Sequence, residues 1–382
     1  MFHGGRKRNP ATAAAHCAVH THREVTELRS EVSHWLENRA EERAIEEGVV
    51  VIAARCADAV GAAGRRIEGT VTIQIADWRG RERPLALAVL TLTCDEFDLA
   101  LTLDSGQTFH WQSLGAGFVG TIEDRAVYVE QRGADLKVLG DEISSPARKP
   151  RPLAEVVARY FALDHPLAEI CASLPNDPAM QTATAFCRGL RIMRQPRWEC
   201  LATFITSSMK QVAHIRQMSL ALRQCFGRKL GINGAHVYAF PSAVNLAGAT
   251  EKELKNCGLG YRAKNLLATA RRVAGGEADV EGWATLRDED LRARLCELPG
   301  VGPKVANCVM LFAYERLRAF PIDVWIERVL RQHYFPRRRR LTTAQLRDFA
   351  ARHFGEHGGY AQQYLFHHAR KTRPPRLSPR TR

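Results

Sequence analysis

Between Leu295 and Tyr314 the chain reads LCELPGVGPKVANCVMLFAY, and this stretch limits the fold more tightly than any other. A helical pattern runs up to Glu297 and an apolar one runs on from Pro303. The LPGVG between them is expected to be a tight hairpin, because proline fixes one dihedral and Gly300 and Gly302 supply positive ones. A link this short brings two helices together. It also leaves the first N–H groups of the second helix without intrahelical partners, and such groups bind anions well. Lys304 stands at the mouth of that helix, before a run too apolar to be a solvated face. The pattern suits a hairpin that grips a phosphate and a lysine that acts as a nucleophile.

The rest of the composition is compatible with a polyanionic partner. The 382 residues carry a formal charge of +14 and a sequence pI of about 9.6. Nucleic acid is the commonest partner for such a protein, although basic tails alone would give the same figure. The length allows two or three domains and a sizeable core. The 10 cysteines include no C-x-x-C pair and lie mostly among apolar neighbours, so they read as reduced core thiols of an intracellular protein. No cysteine follows Cys308, which leaves nothing there to hold an iron–sulfur or zinc cluster. No apolar run reaches the ~20 residues that cross a bilayer.

Residues 1–68 are rich in Ala, Arg and Glu, with a helical pattern from Glu24 to Glu47 and no motif, so they read as an extension of unknown role. From residue 70 to 152 the pattern alternates: TVTIQI, LALAVLTLT, FDLALTL, TFHW, VGTIE and AVYVEQ read as short strands of an antiparallel sheet. Turns fall at Ser105-Gly106 and Arg132-Gly133, and SSPARKPRP (Ser144–Pro152) reads as a linker. Residues 153–370 read as helical throughout. Helices are expected from Pro196, from Met209 to a stop at Gly227, from Ser242, Ala263, Asp288, Pro303 and Val324, and near Thr343 and Gly359. Residues 371–382 read as a basic, disordered tail that adds phosphate affinity. The fold class is therefore α+β: an antiparallel sheet domain, then an all-helical domain.

Lys304 lies one turn before Cys308, so the two share a face. A lysine at a partly buried apolar site loses solvation of its charged form, and some free amine then exists near neutrality to attack a sugar carbon. A surface lysine touching phosphate is the plainer alternative. Asp323, in FPIDVWIERVL, follows an extended Pro-Ile and precedes an apolar helix, which makes it a good N-cap. The same carboxylate, one helix beyond the lysine, could steady cationic character on a sugar.

LPGVGPKVA followed by PIDV resembles the helix–hairpin–helix DNA glycosylase superfamily. SGQTFHW (Ser105–Trp111), RQPRWECLATFITSS (Arg194–Ser208), FPS (Phe240–Ser242), GLGYRAK (Gly258–Lys264) and YAQQYLF (Tyr360–Phe366) narrow the resemblance to the 8-oxoguanine DNA glycosylase family, in its order, from about residue 70 to 370. The resemblance implies that Lys304 attacks the sugar C1′ and that Asp323 is its essential carboxylate. It gives Gly106 a backbone carbonyl for the N7–H that distinguishes 8-oxoguanine from guanine. It assigns Gln362 to the Watson–Crick edge of the flipped base, and Phe366 and Cys308 to its faces. Tyr261 would wedge into the stack, Arg262 would contact the orphaned cytosine, and the backbone of Gly300 and Gly302 would hold a phosphate. Packing alone would also explain Gln362 and Phe366, which are four apart on one helix.

The chain departs from the family pattern at several positions. Met209, Lys210 and Gln211 stand where the pattern has asparagines, and His214 where it favours arginine. Trp325 replaces a common histidine, and Asn307 an acidic residue. Met209 can fill the gap left by a flipped base but cannot read cytosine by a conventional donor. The resemblance implies a bifunctional glycosylase/lyase of base excision repair that works on duplex DNA, as a monomer, inside the cell and without membrane. It needs no cofactor for chemistry, though a monovalent or calcium ion at the hairpin carbonyls fits the likeness. A non-catalytic DNA-binding module, or a glycosylase for another damaged base, is the alternative. An endonuclease III-like enzyme is disfavoured by the missing cysteines, and an alkyl-base glycosylase by Lys304.

Overall fold

The computed structural model describes residues 89–140, 151–338 and 340–372 in full, and residues 17–19, 51–60, 66–75, 86–88 and 141 as backbone. The helical pattern at Glu24–Glu47 and nearly all of the linker and tail lie outside the described residues.

Eight strands among the described residues form one sheet. Five of them are Ala86–Thr93, Asp135–Asp141, Arg125–Arg132, Gly117–Ile122 and Gln112–Leu114, each antiparallel to the next. Arg66–Ile75 and Val51–Val60 extend the sheet antiparallel beyond Ala86–Thr93, and Cys17–Val19 pairs parallel at the edge. The alternation read in TVTIQI, LALAVLTLT, VGTIE and AVYVEQ therefore forms strands. FDLALTL does not: Leu99–Asp104 is a helix, capped by Asp98, whose side chain accepts from Leu101 N at 2.8 Å. Gly106 therefore follows a helix rather than sitting between two strands, and TFHW is irregular chain leading into Gln112–Leu114.

The central strands of these five are covered on both faces. Leu90, Leu92, Val127, Val129, Leu136 and Val138 point into a core closed by the helix Leu153–Tyr160 and by Leu99 and Leu103. This core thus continues past residue 152 to Phe161 and Leu163. Val119, Ala126 and Tyr128 point the other way, onto Ile232 and Val237. Those two residues belong to a β-hairpin, Lys229–Ile232 with Ala235–Tyr238, inside the stretch expected to be wholly helical. Its turn, Asn233-Gly234, has both residues at positive φ (48° and 74°), the geometry that matches two twisted strands.

Helices build the larger core. Pro196 precedes Arg197–Thr206, Ser242 caps Ala243–Ala247 and Thr342 caps Thr343–Phe354 through a reciprocal capping box. Val212–Phe226, Arg262–Ala274, Asp288–Cys296, Pro303–Ala313, Val324–His333 and Gly358–Thr372 pack around Leu201, Ile205, Leu266, Val309, Met310 and Tyr364. The last helix carries Arg370 and Lys371 onto Asp104, so the basic tail begins only after Thr372.

Candidate active site

The hairpin after Cys296 needs one positive φ, not two. Gly300 sits at φ 83°, and a Cβ there would come within 2.8 Å of the Asn265 side chain. Gly302 is extended and serves as N-cap of Pro303–Ala313, where no side chain caps the helix. Space around Gly302 is open, so the helix N-terminus faces outward. Thr269 donates to Pro299 O at 3.0 Å and Arg272 to Glu297 O at 2.8 Å, which seats the hairpin on the Arg262–Ala274 helix. Leu298 O and Gly302 O accept backbone N–H groups.

Lys304 opens from this helix into a cleft of about 960 Å³. Lining it together are Gly106, Lys304, Cys308, Asp323, Trp325, Gln362 and Phe366, seven of the residues singled out in the sequence. The Lys304 ammonium lies 5.3 Å from the centre of the Phe204 ring. Phe204 stacks on Phe312 at 5.5 Å and meets Phe109 edge-on at 6.1 Å, forming an aromatic floor that the sequence reading did not single out. Asp323 is the expected N-cap: its Oδ1 accepts from Ile326 N at 2.8 Å. Burial raises the Asp323 carboxyl above the usual range, against the pull of the Ile326 N–H and the Lys304 charge. Burial likewise raises the Cys308 thiol, against Lys304. Lysine, thiol and carboxylate thus feel one another from two helices.

The Gly106 loop is fixed from both sides. Gln363 donates to Ser105 O and Gln195 to Gln107 O, each at 2.8 Å. The carbonyl between them, that of Gly106, receives no donor among the described residues. Gly106 is held at φ 87°, and a Cβ there would approach Phe366 to 3.2 Å. Opposite, Gln362 is buried with its Oε1 unpartnered. The helix that carries Gln362 and Phe366 also carries Gln363, which pins Ser105, so one helix holds both side chains and the loop. Two unmet polar groups in one aromatic-walled cleft are what a planar, polar ligand would satisfy.

Six predicted residues lie outside the cleft. Gly300 and Gly302 form the hairpin. Met209 (88% exposed, φ 57°) and Tyr261 (63% exposed) project from neighbouring loops. Arg262 is buried and stacks on Tyr261 at 4.3 Å; it donates to Leu259 O and, through Nε and Nη2, to Ser208 O. Arg262 therefore ties the two loops together instead of reaching outward. His214 is exposed on the first turn of Val212–Phe226. Lys210, Gln211, Arg328, Gln332 and Arg370 also line the cleft. Of these, Arg328 could have been found from its place on the helix that Asp323 caps.

Two family models match adjoining stretches of the chain. Residues 89–201 match the model described as 8-oxoguanine DNA glycosylase, N-terminal domain, and residues 202–352 that of the HhH-GPD superfamily base excision DNA repair protein. The chain is 33% identical to the N-glycosylase/DNA lyase OGG1 of Arabidopsis thaliana, over 72% of this chain and 78% of that one. It is 30% identical to a probable N-glycosylase/DNA lyase of Methanothermobacter thermautotrophicus, over 72% and 95%. Among solved structures, the Clostridium acetobutylicum 8-oxoguanine glycosylase/lyase, in complex with double-stranded DNA containing cytosine opposite 8-oxoG, superposes with a TM-score of 0.67 at 32% identity. That superposition covers 74% of this chain and 95% of the other.

Proposed function

The chain belongs to the 8-oxoguanine DNA glycosylase family, and from that premise we propose that it excises 8-oxoguanine from duplex DNA and then nicks the strand. One observation carries the reading: Lys304, Asp323, Gly106, Gln362 and Phe366 converge on a single cleft in which two polar groups await a partner.

A base flipped into the cleft stacks between Phe366 and the Cys308 side. The free Gly106 carbonyl accepts the N7–H of 8-oxoguanine; guanine, with a lone pair at N7, would face it with repulsion. Gln362 meets the Watson–Crick edge. The Lys304 amine forms a bond to C1′ as the C1′–N9 bond breaks, and the base leaves with the electron pair. Asp323 stabilises the positive character that develops on the sugar. Opening of the sugar ring turns the new C–N bond into a Schiff base. Loss of a C2′ proton then breaks the C3′–O bond, which is the β-elimination that nicks the strand 3′ to the lesion. No step depends on a metal or organic cofactor. The same reading has the chain act as a monomer, inside the cell, where the DNA is.

Opposite-base preference should be relaxed. Met209 has no conventional donor for cytosine, and the Arg262 guanidinium is already turned to Ser208 and Leu259. The test is single-turnover base release from four duplexes with 8-oxoguanine opposite C, A, G or T. Release from all four, with C no more than about tenfold ahead, is expected. Release from C alone would sink the relaxed-preference reading, and no release from any would sink the glycosylase reading.

A further inference from the structure

We propose that the outward face of the Val324–His333 helix, together with Arg337, Arg338 and Arg340 after it, forms a second phosphate-binding track, which holds the duplex backbone on one side of the flipped nucleotide. The proposal rests on the reading that duplex DNA is the substrate.

The track begins in the cleft. Asp323 caps the helix inside it, and Arg328 and Gln332 line both the cleft and a neighbouring open groove of about 620 Å³. From Asp323 to Gln332 the helix rises ~14 Å. At 3.4 Å per nucleotide along a strand, that is about four base steps. The groove ends at Phe335, Pro336 and Arg338, and the chain continues into a run of four arginines, Arg337–Arg340.

Exposed arginines elsewhere divide: Arg287, Arg294 and Arg318 pair with Asp290, Glu297 and Glu356, whereas Arg188 and Arg271 have no carboxylate partner among the described residues. What sets this face apart is that four unpaired arginines fall on one helix and the stretch just after it. Here Arg328, Arg337, Arg338 and Arg340 are exposed, and none has a carboxylate partner among the described residues. The one carboxylate in the groove, Glu327, pairs with Arg331 at 2.8 Å. Arg331 also donates to Leu341 O at 2.9 Å, which ties the loop back to the helix. Aromatic rings hold two of the unpaired guanidiniums: Arg328 lies 5.4 Å from the Trp325 centroid and Arg338 5.9 Å from that of Phe335. The result is a set of forked donors, uncompensated by any acid and leading away from the cleft. A row of phosphates is the ligand that such an array fits.

The test compares the parent with the variant Arg337→Gln/Arg338→Gln/Arg340→Gln, an equal melting midpoint showing that the variant is folded. Affinity for an undamaged duplex is measured from about 50 to about 200 mM salt, where each phosphate contact contributes a log–log slope of about 0.9. Loss of two or three contacts lowers the slope by about 1.8–2.7, so the parent loses roughly tenfold or more affinity over this range beyond what the variant loses. A lesion duplex is then shortened to a few base pairs on one flank or the other. The parent should weaken sharply when one particular flank is cut, and the variant should be indifferent to that flank. An unchanged slope, or parent and variant responding alike to each flank, overturns the track. Base release by the parent, measured on the same samples, reports separately on the glycosylase reading.

Discussion

Arg223 and Glu199 form a buried ion pair wrapped by further acceptors, whereas Lys304 and Asp323 are half-buried and feel one another's charge across a cleft that is left open. Arg223 donates to Glu199, to Thr121 Oγ1 at 2.8 Å and to Tyr238 O at 2.9 Å, and it lies over the Phe240 ring. It joins the sheet, the β-hairpin and two helices at one point. Burial raises Glu199 and lowers Arg223, in each case outweighing the attraction of the partner. Such a pair fixes an arrangement more than it adds stability. In the cleft, Lys304 has an aromatic ring and a thiol beside it, Gln362 Oε1 has no partner, and the Gly106 carbonyl has no donor. Unmet polar groups cost free energy in the folded chain. Their meeting in one aromatic-walled cleft marks where a ligand completes the structure.

The sharpest way to test the contrast is to cut each pair. Lys304→Gln should lower base release by at least about 10³-fold while the melting midpoint barely moves, as single-turnover kinetics and thermal unfolding would show. Glu199→Ala should do the reverse. It leaves Arg223 buried without its carboxylate and should cost about 3–5 kcal/mol in denaturant unfolding. Asp323→Asn keeps the N-cap but removes a buried charge. It should slow base release about 100-fold and leave stability equal or higher. The pH dependence carries the sign. The folded Asp323 pKa lies above its unfolded value, so the folded state holds the extra proton, and the group's contribution to stability is lost as pH rises through that window. Glu315 behaves oppositely. Burial would raise it, yet hydrogen bonds from His165 and Arg194 hold it down to about 2, so its contribution is present above its unfolded pKa and is lost as pH falls from there towards 2.

Smaller effects refine the open side of the comparison. Gly106→Ala puts an alanine at φ 87° against Phe366 and should cost about 1–2 kcal/mol of stability, with a larger loss of preference for 8-oxoguanine over guanine. Met209→Asn suits the φ of 57° better than methionine does. A gain of roughly 0.5 kcal/mol is expected. A preference for cytosine stronger by about fivefold should accompany it, since asparagine restores a donor.

Much of this was readable from local chemistry. Pro-Gly and a following apolar run located the hairpin, Ser242 and Asp323 announced their helices, and alternating β-branched residues marked the strands. Two local signals were misread. FDLALTL alternates like a strand, but Asp98 within it is a helix cap, and seven residues are too few for periodicity to decide. Asn233-Gly234 is a strong hairpin signal that the surrounding helices obscured. Long-range features left no local trace. Nothing around Arg223 indicates that Glu199, 24 residues away, and Thr121, 102 away, will meet it. Arg262 looked like a free DNA contact because its partners, Ser208 O and Leu259 O, are backbone atoms whose approach only the fold determines.

Borohydride trapping on a duplex with a single 8-oxoguanine, followed by mass mapping of the protein–DNA adduct, tests the central claim most directly. A covalent adduct on the peptide containing Lys304, formed only with the lesion duplex, is the predicted result. Base release with no trapped adduct, or an adduct on another amine, would contradict it.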